Sequence, residues 1–543
     1  MLKDFTYSLR KLINRPSFTA VIVITLGLSI GANTAIFSVV DAVLLRPLPY
    51  SDADRLVKVF EAAPQKQQSR LMVSLGDFNQ WKRQARSFED MAALGYVSFR
   101  VAGATPEDVA GSRVSPNFFA FLGVKPALGR TFQSEDANAT VPGVTVLTHG
   151  YWVSHFGQDP NVIHKTLVLN DKPYTIVGVL PATFHQSFES HPGLSQVWVP
   201  VSEHTEDGTR TGPGGYNVIA RLKPTVTIDQ ARAEMLGVSQ RLAHAYPNTN
   251  TGIGAAVYSL HEEVTNATRQ SLFVLFAAVG LVLLIACANI VNLLLARSVE
   301  RAKEVAVRLA IGARRLLVVR QLLIESLMLS VSGGFFGWFV ATWILRALVP
   351  LIPPNLPRAD EIAVDYRSLI FTLAISIGAT LMFGLSPALQ TARVNLTDAL
   401  KYSSRTATDN LRSRRFRQSL IVLQLALTTV LLIGAGLLTR SLVTFYRVDP
   451  GFDTNDLVSM RLRLPRTGGE DPERWNVFWS SLLDSARQIP GTTGAALANP
   501  LPLGESTYMM NVGLPAASEH VVVGYSTVSA NYFQTLGIRL LYG

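Results

Sequence analysis

The stretch ERAKEVAVRLAIGARR at 300–315 gathers the residues of this chain best suited to act together: Glu300, Arg301, Glu304, Arg308, Gly312, Ala313 and Arg314. The chemistry they offer is ionic docking. On a helix Glu304 precedes Arg308 by four residues, the favourable order for such a pair. Ala302, Ala306 and Ala310 form a stripe of small side chains that permits close approach, and Gly312 suits a helix C-cap. By physics alone two readings stand open. The segment is a surface helix that a partner pushes against, or it is an amphipathic loop that only places positive charge beside a membrane.

Other chemistry is thin. Nine histidines are scattered, with no H-x-x-x-H and no cysteine at metal spacing, so no catalytic group, metal or cofactor is expected. There is no G-x-x-x-x-G-K-S/T, nor any Gly-Lys pair, so nucleotide hydrolysis is expected from a separate subunit. Asn289 and Asn292 lie three apart in an apolar run, where they could bond across helices or mark a transport path. Gly27 with Gly31, and Gly333 with Gly337, are G-x-x-x-G pairs. Such pairs suit close helix contact and also arise by chance.

The elements that would position these residues are membrane spans. Of 543 residues 48% are hydrophobic and 16% charged, yet the long polar stretch from about 50 to 270 requires a large part outside any bilayer. Five apolar runs are long enough to cross a bilayer: 18–43, 272–296, 326–345, 369–389 and 420–438. The first is longer than a signal-peptide core and lacks a clean A-x-A site, so it reads as an uncleaved anchor. The single cysteine, Cys287, excludes an intrachain disulfide. Segments 297–320 and 390–418 each carry seven Arg/Lys against two acids, and 1–17 carries four against one. Basic charge confined to these loops places them and the N-terminus on the cytoplasmic side, and makes nucleic acid an unsuitable partner despite the net charge of +10.

The segment 44–271 reads as α+β. Residues 76–94 have helical spacing, with Phe78, Trp81, Ala85 and Phe88 near one face. VPGVTVLT, KTLVLN and PYTIVGVL read as short strands, and 227–247 as a helix with Thr227 and Gln230 in a capping box. The chain also resembles itself. SRVSPNFFAFLGVKPALG (112–129) and STVSANYFQTLGIRLLYG (526–543) share Ser, Val, Ser, Asn, Phe, Leu and Gly at one offset, and AALGYV (92–97) pairs with AALANP (495–500). A span plus outer domain is thus duplicated, and the second half is expected to be incomplete, the chain being C-terminally truncated.

The 300–325 segment is similar to the cytoplasmic loop of MacB/FtsX-type ABC transporter permeases, through Glu300, Arg301, Glu304, Arg308, Ala310, Gly312, Ala313, Gln321 and Glu325. FGQDPNVIHKTLVLNDKPYTIVGVLPATF (156–184) and ARLKPTVTIDQARAEM (220–235) resemble the MacB-like periplasmic core, with His164 and Thr225 where that pattern usually has Gly. As a whole the chain is similar to the duplicated orphan permease (ADOP-like) subgroup. The resemblance implies α-helical membrane spans plus α+β extracytoplasmic domains. The parts are 1–43 (N-terminus and first span), 44–271 (periplasmic core), 272–389 (permease, with a coupling helix at 297–315), 390–443 (linker and fifth span) and 444–543 (partial second periplasmic domain). It implies a multi-pass protein of the bacterial inner membrane that is not an enzyme. An ABC ATPase acts in trans on the coupling helix, and further partners are membrane lipid, a second copy or pseudo-dimeric half, and a periplasmic adaptor. A non-transporting envelope scaffold or sensor is the alternative.

Overall fold

The computed structural model describes residues 10, 12–66, 68–102, 107–138, 143–184, 195–201, 214–310, 315–351, 358, 361–392, 411–454, 456–460, 462, 472–502, 508–513 and 520–539. They fall into two compact units, Met1–Leu432 and Ile433–Gly543.

In the first unit helix α1 (Pro16–Val40) starts on a proline at its first position, where the missing N–H is no loss. It continues into a five-residue π-helical turn, Asp41–Leu45. The chain then enters strands β1 (Leu56–Ala63) and β2 (Gln68–Leu71), helix α2 (Leu75–Gln84), and strands β3 (Phe88–Val101) and β4 (Glu107–Val114). After α3 (Phe118–Leu122) come β5 (Leu128–Gly129), β6 (Gly143–Leu147), α4 (His149–Phe156), β7 (Thr166–Leu169), β8 (Lys172–Val179), β9 (Val197–Pro200) and β10 (Asn217–Leu222). Helix α5 (Ile228–Ala245) and strand β11 (Gly254–Ser259) complete the α+β domain.

Its sheet runs β11-β1-β10-β3-β4-β9-β6-β8-β5, with β2 on β1 and β7 joining β8 to β3. The last pairing, Val101 opposite Leu169, closes β3, β4, β9, β6, β8 and β7 into a six-stranded ring. Phe99, Val109, Leu147, Leu169, Ile176 and Val197 fill the ring. On the other half of the sheet, Val57, Val59, Val218 and Ala220 pack against Phe78 and Trp81 of α2 and against Ala231, Met235, Val238 and Leu242 of α5. That spacing on α5 is the apolar stripe of an amphipathic helix. Its N-terminus has the expected capping box: Gln230 N donates to Thr227 Oγ1 at 3.3 Å, and Thr227 N donates to Gln230 Oε1 at 2.9 Å.

The helix expected over 76–94 stops at Gln84. Glu234 of α5 accepts from the backbone N–H groups of Arg86 and Ser87 at 2.8 and 2.7 Å, which turns the chain, and the rest is β3. Being paired on both sides and largely buried, β3 lacks the alternation that marks a surface strand in sequence.

From β11 the chain passes directly into α6 (Leu260–Ala310), followed by α7 (Arg315–Leu348), α8 (Tyr366–Ala392) and α9 (Leu411–Tyr446). Among the described residues four helices are long and apolar enough to cross a membrane: Pro16–Leu45, Leu260–Leu295, Val319–Leu348 and Arg415–Tyr446. The remaining expected span, 369–389, falls on α8, whose described apolar part is the shorter Tyr366–Met382. α1 is the axis of the bundle, touching α6, α7 and α8. Its apolar stretch is 56% buried, against 17% for α6 and 33% for α7. α6 begins at Leu260 rather than at 272, and its 51 residues run through the segment expected to form a separate surface helix. No Gly or Pro interrupts 281–311, so nothing in the backbone favours a break. At 1.5 Å per residue such a helix is about 77 Å long, more than twice the bilayer core.

The second unit contains the end of α9, helix α10 (Pro472–Arg487), strands β12 (Ala498–Asn499), β13 (Tyr508–Gly513), β14 (His520–Tyr525) and β15 (Thr527–Val528), and helix α11 (Tyr532–Thr535). A hydrogen-bonded clasp found in the first unit recurs here. Ser115 N donates to Ala93 O and Ala93 N to Ser115 Oγ, both at 3.0 Å, while Asn117 Nδ2 donates to Met91 O at 2.8 Å. Correspondingly, Ser529 N donates to Leu497 O at 3.0 Å, Leu497 N to Ser529 Oγ at 2.9 Å, and Asn531 Nδ2 to Ala495 O at 2.6 Å. Both clasps lead into a short helix followed by a glycine in the left-handed region, Gly123 (φ 74°) and Gly537 (φ 71°). Ala93 therefore corresponds to Leu497, one residue away from the match between AALGYV and AALANP.

Candidate functional site: a helix interface and a charged collar

Gly27 and Gly31 of α1 face Gly333 and Gly337 of α7. A Cβ on Gly31 would lie 2.8 Å from Gly337 O, one on Gly337 would lie 3.0 Å from Gly27 O, and one on Gly333 would lie 2.7 Å from Leu26 Cβ. Only glycine permits this approach, which lets dispersion contacts and backbone dipoles act over the whole crossing.

A second ridge was not anticipated from sequence. Ser368, Thr372, Ser376 and Thr380 recur every fourth residue along α8, all buried, and Gly384 continues the row. Ser368 Oγ lies 2.8 Å from Ser38 Oγ and Thr372 Oγ1 2.9 Å from Thr34 Oγ1, both on α1. Ser330 Oγ of α7 donates to Ser376 O. The signal was present as a small-x-x-x-small repeat in SLIFTLAISIGATLMFG, hidden because Ser and Thr lower a run's hydropathy little.

The interhelical amide bond comes from Asn33, whose Nδ2 donates to Val279 O of α6 at 2.8 Å. Asn292 Oδ1 is buried without a hydrogen-bond partner among the described residues.

At the sheet-side end of the bundle, six charged residues form a collar around the π-helical turn. Arg46 Nη2 donates to Asp365 Oδ2 at 2.8 Å and to Asp41 Oδ2 at 3.1 Å, and its Nη1 lies 3.9 Å from Glu361. Arg367 Nη1 reaches the other Asp41 oxygen at 3.2 Å. Arg358, its side chain 1% exposed, makes a fork to Glu361 (2.6 and 3.1 Å) and donates to Arg46 O at 2.6 Å. Three arginines meet three carboxylates, so the cluster is neutral and each buried charge is paired. Burial pushes the Asp365 carboxyl up, but the Ser368 N–H and the Arg46 charge outweigh it, leaving its pKa below the usual carboxylate range. His261 in the first turn of α6 joins the same end, its Nε2 2.9 Å from Leu44 O. Sequence reasoning singled out none of these residues; only the fold brings 41–46 beside 358–367.

Glu300, Arg301, Glu304 and Arg308 lie on the last turns of the α6 backbone, whereas Gly312, Ala313 and Arg314 are outside the described residues.

An α+β domain carried on a bundle of apolar helices defines a multi-pass membrane protein with a large extramembrane part. Residues 19–238 match the family described as MacB-like periplasmic core domain, and 276–396 the FtsX-like permease C-terminal family. Over these two parts the chain is similar to MacB/FtsX-type ABC permeases. It is 28% identical over 340 residues to the macrolide export ATP-binding/permease protein MacB of Shigella boydii serotype 4 (strain Sb227), the match covering 60% of this chain and 50% of that protein. The same figures hold for the MacB of Escherichia coli (strain K12). The match thus spans about half the length of these curated relatives. Among solved structures, the periplasmic region of MacB from Actinobacillus actinomycetemcomitans is 14% identical with a TM-score of 0.29, covering 41% of this chain and 94% of that one.

Proposed function

We propose that this permease couples nucleotide hydrolysis by a separate ATPase to motion of its periplasmic domain, driving export of an envelope substrate. The N-terminus and the segments 297–320 and 390–418 then face the cytoplasm, where their positive charge is retained. The ATPase docks against Glu300, Arg301, Glu304, Arg308, Gly312, Ala313 and Arg314. A second copy or pseudo-dimeric half supplies the opposite coupling segment, and a periplasmic adaptor receives the outer domain. Membrane lipid surrounds the spans.

One observation carries this reading: α6 is unbroken from the edge of the sheet at Leu260 to Ala310. A single helix resists bending over that length, so displacement at one end is delivered to the other without passing through a loop.

The test exchanges Glu304 and Arg308. Net charge and insertion are preserved because topology depends on the count of Lys and Arg, but each contact with a docked partner receives the wrong sign, which costs several kcal/mol at an interface. The variant should reach wild-type levels and lose the ATPase that co-purifies with the native chain. Retention of that ATPase and of its coupled activity would sink the docking assignment and favour an envelope scaffold or sensor.

A further inference from the structure

The turn at 41–45 is π-helical, its closing bond running from Arg46 N to Asp41 O at 2.8 Å. A π turn is an α-helix with one extra residue. It is the less favourable register, and it persists where its surroundings fix it. Here those surroundings come from three other elements. Asp41 at the start is held by Arg367 of α8 and by Arg46. Leu44 O in the middle is held by His261 of α6. Arg46 at the end is held through its side chain by Asp365 and through its carbonyl by Arg358, both in the α7–α8 connection or at its end. Arg46 itself is already extended (φ −74°, ψ 129°), and the chain leads on from it to β1.

We propose that residues 41–45 are a two-register joint, π-helical while the Arg46 hub is closed and α-helical when it opens, through which movement of α1 against α6 and α8 is handed to β1. A change of one register turns the following chain by about 100° and advances it by about 1.5 Å. Arg46 is the positioning residue of the joint: its side chain and its backbone carbonyl are held by different partners, so neither can leave without loading the other. The purpose given to the joint rests on the coupling reading above; its geometry does not.

The experiment uses the full chain in lipid nanodiscs, without any ATPase, and follows hydrogen exchange in the peptide covering 40–47. Arg46→Gln should free the turn to pass back and forth between the two registers, breaking its hydrogen bonds at each passage, and so speed exchange of the amides at 42–46 about tenfold while protection in 22–36 and the melting temperature stay native, the mark of a local opening. Deleting Val43 removes the extra residue. That variant should melt like the native chain, show slow exchange at 42–46, and no longer respond to Arg46→Gln. Unchanged exchange in Arg46→Gln would overturn the proposal, as would a general loss of protection in it, which would make Arg46 a fold-holding residue only. A Val43 deletion that unfolds would overturn it too. Because no ATPase is present, these outcomes are independent of the Glu304/Arg308 exchange.

Discussion

Gly31 and Gly337 meet with so little room that a methyl group on Gly31 would sit 2.8 Å from the carbonyl oxygen of Gly337. The obstructing atom is backbone and cannot rotate away. Gly31→Val and Gly337→Val should each lower stability by about 1–3 kcal/mol through overpacking. Gly280→Ala on α6, where nothing lies within 4 Å, should be neutral or slightly stabilising. Thermal melts of the purified variants decide the matter, and equal melting temperatures for Gly31→Val and the native chain would refute the assigned contact.

Glu61 on β1 is 0% exposed, and its Oε1 accepts from Ser74 N at 2.8 Å. Burial, with the nearby Asp77 carboxylate adding to it against the opposing Ser74 N–H, pushes its pKa up to about 8. A carboxyl raised in this way binds its proton more tightly folded than unfolded. Its contribution is full below the unfolded pKa of about 4.3 and is lost as pH rises toward 8, with a limiting slope of about 1.4 kcal/mol per pH unit. Glu61→Gln should remove that slope, so that the variant gains on the native chain steadily between pH 5 and pH 8. Parallel melting curves across this range would show that Glu61 does not carry the proton.

His164 has φ of 70°, in the left-handed region, and its N–H donates to Ile176 O at 2.8 Å. It stands where the resembling pattern usually has Gly, and the geometry is the one glycine adopts without strain. His164→Gly should raise stability by about 1 kcal/mol while keeping the bond to Ile176. A lower melting temperature would mean that the imidazole itself supports the turn.

Apolar length, charge placement and capping made the spans, the α+β character of 44–271 and the start of α5 at Thr227 readable in sequence, because each depends on neighbours within a few residues. The end of α2 was not readable. Ala85 and Phe88 continue a helical period, and the chain turns only because Glu234, almost 150 residues away, takes two N–H groups there. The collar was hidden for the same reason, since Arg46 and Asp365 are an ion pair only after α1 and α8 have packed. The G-x-x-x-G pairs were visible as candidates, but their facing one another is a property of the crossing.

The arms of the clasp are 22 positions apart in the first unit, Ala93 and Ser115, and 32 apart in the second, Leu497 and Ser529. Enclosing ten more residues costs only about 0.3 kcal/mol of closure entropy. The serine–asparagine clasp therefore works like a buckle on a strap of adjustable length. What projects between the arms of each clasp can differ in size and surface while the fastening beneath it stays as it is, which lets one fastening carry two unlike faces.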